Sequence, residues 1–365
     1  MQNCMSAIDS ILKPIRYIFS EDFSLRVAQW RLSLLSRIPL GLMFMRKRNA
    51  IPTTHLSLEA FGMKFPSRIG LGAGYDRNGE FIKAMEATGF GFIEIGSITP
   101  KPQKSTASPA LHRFEKDKAL LYCGQTQCDG VERVIENIKQ YRGNIIVGCN
   151  IAKNDFTADD DAPQDYLRLF RPLYQYADYF TVNIARNSSE KPYVPTDREQ
   201  IMAILQPLFE FRRGQNQYRP ILLKISPDLS DEQIDLMTDI MIDTPLDGIV
   251  ACAGTVGRHG LENSTNALHA IGRKAGALSG APLRERALEV VRRVHLRAKG
   301  TYPIIGCGGI STADDALAML EAGASLVQVT TEYIYNGERS IRDMRAGLNE
   351  RLRKIQQRQK SDATE

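Results

Sequence analysis

The stretch that decides the fold is residues 304–331, IIGCGGISTADDALAMLEAGASLVQVTT. It begins with an aliphatic run at 304–307 and passes through glycines and a Ser-Thr pair into a segment of helical periodicity. A second aliphatic run at 326–329 follows and ends at Thr330 and Thr331. A strand, a helix and another strand in succession form the repeating unit of parallel α/β folds.

Six more runs of this kind occur along the rest of the chain, each followed within a few residues by helical periodicity. With the two just quoted, the predicted strands are residues 69–71, 91–95, 145–149, 180–183, 221–225, 248–251, 304–307 and 326–329. This pattern predicts an α/β fold, a closed (β/α)₈ TIM barrel with its site at the carboxyl ends of the strands. Another parallel sheet would also show the runs, but it would not need glycines and polar groups at nearly every strand end.

The chain has 365 residues, which exceeds the roughly 250 of a typical barrel. We assign residues 1–50 to an amino-terminal helical cap, 51–355 to the barrel and 356–365 to a polar tail expected to be disordered. The alternating residues 55–65 predict a short hairpin that closes the amino-terminal mouth of the barrel.

The cap carries an amphipathic pattern from Asp22 to Ile38. Its apolar residues at helical spacing are Phe23, Val27, Trp30, Leu34 and Ile38. An apolar run at 38–45 and the basic triplet 46–48 follow, and the run is too short for the roughly 20 residues of a membrane span. Two interpretations remain open: peripheral membrane contact through residues 1–49, or burial of the apolar stripe against the barrel.

Composition narrows the possible partners and cofactors. The balance of 47 Lys and Arg against 42 Asp and Glu is too even to suggest a nucleic-acid partner. The six cysteines show no CxxC spacing, which is typical of reduced thiols in a cytosolic protein. The five histidines form no ligand pattern, so we expect no metal.

Residues after the predicted strands are suited to a phosphorylated cofactor. Gly308 and Gly309 precede a helix start, where backbone N–H groups can approach a phosphate. Lys224 lies in an apolar strand and needs an anionic partner, either a flavin or a carboxylate in a plain salt bridge. Asn150 and Asn183 end two strands, where their amides could meet a flat heterocycle or simply form caps or turns.

Six motifs make the chain resemble the dihydroorotate dehydrogenase family. They are GLGAGYDRNGE at 70–80, GFIEIGSITPKPQ at 91–103, NIAKN at 150–154, LKISPDLS at 223–230, LSGAPL at 278–283 and IIGCGGI at 304–310. The basic helical cap makes the chain similar to the membrane-associated class 2 enzymes of that family, which reduce quinone.

The resemblance implies a bound FMN, oxidation of dihydroorotate to orotate in pyrimidine biosynthesis, a membrane quinone as electron acceptor and a place on the cytoplasmic side of a membrane. Carried over by position, it implies flavin contacts at Ala73, Gly74, Ser97, Asn150, Asn183, Lys224, Gly280, Gly309, Thr330 and Thr331.

The substrate half departs from the family pattern. Tyr122 stands where an asparagine would hold orotate, Arg186 stands at the position of the proton-abstracting base, and Ser188 replaces a substrate-binding asparagine. Residues 252–254, Cys-Ala-Gly, replace a Thr-Asn-Thr element, and Arg77 replaces a lysine. The resemblance assigns catalysis to Arg186, Ser188 and Lys224, and substrate binding to Arg77, Tyr122, Asn183 and Ser188.

An arginine stays protonated at neutral pH and cannot act as a general base. A shift of the loop could instead bring Ser188 or Ser189 to the base position, and Tyr122 is another candidate. Three functions therefore remain open: an enzyme acting on dihydroorotate, a paralogous FMN oxidoreductase for another small anionic substrate, and a non-catalytic flavin-binding protein.

Overall fold

The computed structural model describes residues 21–185, 194–272 and 275–362. Eight parallel strands close into a barrel. The barrel strands are β3 (Ile69–Leu71), β4 (Phe92–Ile98), β7 (Ile146–Ile151), β8 (Tyr179–Asn183), β9 (Ile221–Ile225), β10 (Gly248–Ala251), β12 (Ile304–Cys307) and β13 (Leu326–Val329). Their order around the barrel is β10-β12-β13-β3-β4-β7-β8-β9. The predicted barrel is thus confirmed.

The described helices surround the barrel or lie on its faces. They are α1 (Glu21–Arg37), α2 (Pro39–Asn49), α3 (Ile82–Thr88), α4 (Val131–Lys139), α5 (Ala162–Leu173), α6 (Arg198–Arg213), α7 (Asp231–Asp243), α8 (Thr265–Ile271), α9 (Arg284–Arg297), α10 (Ala313–Glu321) and α11 (Thr331–Asp362).

A hairpin covers the amino-terminal mouth of the barrel, as the sequence predicts. Strands β1 (Leu58–Ala60) and β2 (Met63–Phe65) pair antiparallel. The ring of Phe65 meets that of Phe92 edge to face at 5.2 Å, inside a cluster of buried apolar residues at the barrel floor. This end of the barrel is filled, so a ligand has access only at the other end.

A second sheet was not predicted. Strands β5 (Leu111–Phe114), β6 (Ala119–Cys123) and β11 (Gly276–Gly280) form an antiparallel sheet in the order β11-β6-β5. Strand β11 pairs with β6 although more than 150 residues separate them in the chain. Residues of all three strands line the cavity at the carboxyl ends of the barrel strands, so this sheet covers the site.

The cap helices attach to the same end of the barrel. The Asp22 carboxylate accepts hydrogen bonds from the backbone N–H groups of Ala110 (2.8 Å) and Leu111 (3.1 Å) in and beside β5. The Gln29 amide donates to the carbonyl oxygen of Tyr75 at 3.0 Å. Helix α1 is therefore fixed beside the site by polar contacts at two places.

The apolar stripe predicted on α1 does not pack against the barrel. Its members Phe23, Val27, Trp30, Leu34 and Ile38 are all exposed. The buried side of α1 is instead formed by Leu32, with Leu25 and Leu35 packed against the core. The interpretation in which the stripe is buried on the barrel is thus wrong for these residues.

The expectation of a disordered tail from residue 356 is wrong for residues 356–362. Helix α11 continues through them to Asp362. The Gln356 side chain contacts the His55 ring, with 2.8 Å between Oε1 and Nδ1, and Glu350 pairs with Arg353 and Lys354 one turn on. These contacts and the good helix propensity of Gln, Arg and Lys extend the helix.

Candidate functional site

A cavity of about 790 Å³ lies at the carboxyl ends of the barrel strands. The structure brings the predicted cofactor contacts together there, and all except Asn150 line it: Ala73, Gly74, Ser97, Asn183, Lys224, Gly280, Gly309, Thr330 and Thr331. The predicted substrate residues Arg77 and Tyr122 line the same cavity.

Asn150 lies behind the lining, in a chain of hydrogen bonds that reaches the cavity. Its amide donates to Glu94 at 2.8 Å, and its carbonyl oxygen accepts from the Ser97 hydroxyl at 2.6 Å. The Asn183 amide in turn donates to the Ser97 oxygen at 3.0 Å. We call Glu94, Asn150, Ser97 and Asn183 the amide relay; it places Asn150 in the site as a supporting residue.

Glu94 also meets Lys224, whose ammonium nitrogen is 3.6 Å from Oε1 of the carboxylate. Burial acts to lower the pKa of Lys224, but attraction by the Glu94 carboxylate is the main opposing effect, and the pKa is raised. The sequence left open whether the anionic partner of Lys224 is a flavin or a carboxylate, and the structure places the carboxylate of Glu94 beside it. Sequence reasoning missed Glu94, although one charged residue in the apolar run 92–95 was a signal.

The loop between β12 and α10 is held by an arginine of the neighbouring helix. Arg284 donates from Nε to the carbonyl oxygen of Gly309 at 3.0 Å and from Nη2 to Ser311 and Asp315, each at 3.1 Å. A Cβ at Gly309 would lie 2.5 Å from Cα of Arg284, so only glycine allows this close approach. Across the cavity lining, the hydroxyls of Ser279 and Thr331 contact each other at 2.9 Å.

This lining fits FMN. A phosphate requires backbone N–H groups and hydroxyls, which Gly308, Gly309 and the Thr330–Thr331 pair offer, and the nearby Asp315 carboxylate is paired with Arg284. A flavin ring requires a cation and amides, which Lys224 and the amide relay supply. In addition, the buried Oε1 atom of Gln328, a residue of the lining, has no hydrogen-bond partner among the described residues. A buried acceptor without a partner can accept a hydrogen bond from an N–H or hydroxyl group of a bound ligand.

The substrate side contains a cation paired with a phenol. Arg77 donates from Nη1 to the Tyr122 hydroxyl at 3.0 Å and from Nε to the carbonyl oxygen of Gly74 at 3.1 Å. Its guanidinium carbon lies 4.3 Å from the centre of the Tyr122 ring. The Tyr122 hydroxyl donates to the carbonyl oxygen of Gln125 at 2.9 Å. In the described part of the chain no carboxylate pairs with Arg77, which leaves its remaining N–H groups for an anion.

Another part of the lining is poor in polar groups. Cys252, Ala253 and Gly254 line the cavity where the family pattern has Thr-Asn-Thr. Burial raises the pKa of the Cys252 thiol, so it is no nucleophile at neutral pH. The predicted catalytic residues Arg186 and Ser188, with Ser189, lie outside the described residues.

Helix α1 contributes directly to the cavity through Asp22, Leu25, Arg26 and Gln29. The cap is therefore part of the site wall as well as an attachment. Among the described residues, none of the helices combines the length and the apolar character needed to cross a membrane.

Comparisons with known proteins agree with this geometry. The family model for dihydroorotate dehydrogenase matches residues 55–352. The chain is 35% identical over 315 residues to the dihydroorotate dehydrogenase (quinone) of Christiangramia forsetii, covering 86% of this chain and 91% of that protein. It is 38% identical over 313 residues to the protein of the same name from Kineococcus radiotolerans, covering 83% and 84% of the two chains.

Solved structures give the same result. The ligand-free DHODH of Eimeria tenella superposes with a TM-score of 0.75 at 26% identity, covering 86% of this chain and 94% of that chain. The structure of the same protein in complex with ferulenol gives a TM-score of 0.74 at 26% identity, covering 84% and 89%.

Proposed function

Because the chain belongs to the dihydroorotate dehydrogenase family, we propose that it is an FMN-dependent oxidoreductase that oxidises dihydroorotate and passes the electrons to a membrane quinone. The observation that carries the proposal is the cavity itself. It collects a buried lysine, the amide of Asn183 and a glycine loop at the carboxyl end of a closed barrel, and Asn150 supports it from behind the lining. Such a set of groups is suited to a flavin and its phosphate.

FMN, when bound, supplies a two-electron acceptor that takes hydride from the substrate. The protein supplies the surrounding groups. Lys224 provides positive charge where a reduced flavin becomes anionic, and the amide relay presents donors and acceptors in fixed positions. The loop at Gly308 and Gly309, held by Arg284, receives the phosphate.

On the substrate side, Arg77 is the residue placed to bind an anion. It is a cation of the cavity lining, its hydrogen bonds within the described part of the chain go to neutral oxygens, and it is held over a tyrosine ring. The sheet β11-β6-β5 covers this end of the cavity and limits the access of water to the reacting atoms.

A second candidate function is oxidation or reduction of another small anionic substrate. The Arg77–Tyr122 pair and the weakly polar wall at 252–254 favour it, because a heterocycle such as orotate needs amide partners along its polar edges. Each missing partner of a buried polar group costs roughly 1–3 kcal/mol of binding.

Replacing Arg77 by Ala should raise the dissociation constant of a bound carboxylate about 10-fold to 100-fold, whatever the rest of the substrate.

We further propose peripheral membrane contact on the cytoplasmic side through residues 1–49, where the exposed stripe of α1 lies on the same helix as residues of the cavity wall. A quinone in the lipid would then be near the flavin site. The charged triplet at 46–48 adds attraction to anionic headgroups.

The deciding experiment counts FMN per purified chain and follows its absorbance under anaerobic dihydroorotate, then after addition of a short-chain quinone. Fast bleaching and quinone-dependent recovery are expected for the first function. Bleaching slower by the roughly 10²–10⁴-fold of a missing general base, with FMN present, supports the second function. A chain that cannot be reconstituted with FMN would contradict both.

A further inference from the structure

We propose that Glu94 is a positioning residue of the flavin site, which keeps Lys224 charged and sets the direction of the hydrogen bonds in the amide relay. The inference rests on the proposed FMN site and concerns a residue that does not itself line the cavity. It follows from three observations: burial of the carboxylate, the set of donors around it, and its connection to the lining.

Glu94 is fully buried in the barrel interior, and every group in contact with its oxygens is a donor. Oε1 receives the amide of Asn150 at 2.8 Å and faces the ammonium of Lys224 at 3.6 Å. Oε2 receives Thr181 at 2.8 Å, Gln328 at 2.8 Å and Tyr179 at 3.4 Å. A buried carboxylate is tolerated only with such compensation, so the site is built around a negative charge.

The charge determines which way the amide relay runs. A carboxylate can only accept, so the NH₂ group of Asn150 faces Glu94 and its carbonyl oxygen faces Ser97. Ser97 donates to that oxygen and therefore accepts from Asn183. The Asn183 carbonyl oxygen then accepts from the backbone N–H of Ala185 at 3.1 Å. The backbone N–H of Ala185 favours the same order from the other end, so a neutral amide at position 94 removes the anchor that faces Asn150 and allows Asn150 to turn.

The same charge compensates Lys224, which is buried in β9. The ionisable groups that face Lys224 are Glu94, Cys252 and Cys307. Besides Lys224, those that face Glu94 from other strands are Tyr179, Cys149 and Cys307. Glu94 is the one carboxylate among these described groups. Without it, burial would favour the neutral amine at Lys224.

The test measures FMN affinity and the flavin midpoint potential against pH for wild type, Glu94→Gln, Lys224→Met and the double variant. Thr181→Val is the matched control, because it removes one donor from the same carboxylate without changing its charge. For Glu94→Gln we expect an FMN dissociation constant about 10-fold to 100-fold higher, by analogy with residues that orient metal ligands. We also expect a new break in its potential–pH curve below the ordinary pKa of a lysine, because burial without Glu94 favours the neutral amine.

At pH values below the break, Lys224 is a cation without a compensating carboxylate, so the flavin midpoint potential should be higher than that of wild type. At pH values above the break the amine is neutral, and the potential should approach that of Lys224→Met. The control, Lys224→Met and the double variant should show no such break. Two results would overturn the role of Glu94 toward Lys224. One is a potential–pH curve of Glu94→Gln that runs parallel to the wild-type curve while FMN is fully bound. The other is a break that persists in the double variant.

The double variant removes both buried charges and should fold even if Glu94→Gln does not. It should bind FMN more weakly than Lys224→Met, because the amide relay has lost the carboxylate that anchors Asn150; equal affinities overturn the role toward the relay. A wild-type chain without FMN would instead contradict the proposed function, so the two failures are distinguishable.

Discussion

Lys224 is the residue on which flavin retention should depend most directly. It is a buried cation of the cavity lining, and Glu94 holds it within a barrel strand. Lys224→Ala should lose FMN during purification or bind it at least 10-fold more weakly, measured as the ratio of flavin to protein absorbance and by titration. Lys104→Ala is the control, since Lys104 is an exposed lysine on the same cavity. Equal loss of FMN in both variants would contradict a specific role.

Asp76 should make stability depend on pH. Burial raises its pKa to about 6 in the folded protein, although backbone N–H groups of Phe81 and Glu80 donate to it. Because the folded pKa lies above the unfolded value of 3.8, the folded state binds the proton more tightly. Stability from this group is complete below pH 3.8 and is lost as pH rises through 6.

The expected loss from Asp76 between pH 4 and 8 is about 2 kcal/mol in the free energy of unfolding. Urea titrations at several pH values measure it for wild type and Asp76→Asn. The variant should be less stable at low pH, where it lacks an acceptor oxygen, and should show a flatter pH dependence across this range. Parallel curves for the two proteins would show that Asp76 does not titrate in this way.

At the scale of single elements, the sequence predicted what is local. Each barrel strand is a short aliphatic run followed by its own helix, so β9, β10, β12 and β13 could be placed within the residues observed. Strand β4 was predicted to end at 95, but its pairing with β7 resumes at Ile98 after a shift in register. In the sheet β11-β6-β5, strand β11 was missed because it pairs with β6 across a distant part of the chain, whereas the local β5–β6 hairpin was not recognised from its pattern.

The candidate site divides in the same way. Glycines and polar residues at strand ends were recognisable, because the barrel pattern alone places them at one rim. Glu94 was not recognisable from the sequence. The role of a buried carboxylate depends on donors from β7, β8, β9 and β13, and only the closed barrel brings these donors together. The pairing of Arg77 with Tyr122 likewise depends on the unpredicted sheet that contains Tyr122.

The loop between β12 and α10 should recognise the phosphate only while Arg284 holds it. Arg284 binds Gly309, Ser311 and Asp315 at once, so Arg284→Ala frees both the loop and the start of the helix. We expect FMN affinity to fall about 10-fold, while affinity for riboflavin, which lacks the phosphate, stays nearly constant. Fluorescence titration with both flavins measures the difference. An equal fall for both would show that Arg284 supports the whole cavity.

At the scale of the whole molecule, the polar attachments of α1 to the barrel leave its apolar stripe facing outward. Trp30 is 66% exposed, and Leu40 and Met43 of α2 add to the same exposed apolar set. Isolated exposed apolar residues are common on soluble proteins, but a stripe of successive helical turns marks an interaction surface. A chain with this arrangement should bind a lipid surface and bring the cavity wall formed by α1 close to it.

Trp30 is the single tryptophan of the chain, so its fluorescence reports on this surface alone. Vesicles containing anionic lipid should shift its emission to shorter wavelength, and added salt should reduce the shift because it screens the cationic contribution. Phe23→Asp should weaken vesicle binding about 10-fold by placing a charge in the stripe. Phe156→Asp, at an aromatic residue 61% exposed outside the cap, is the matched control and should bind as wild type does. If both variants bind alike, the stripe is not the contact surface, and quinone must reach the flavin by another route.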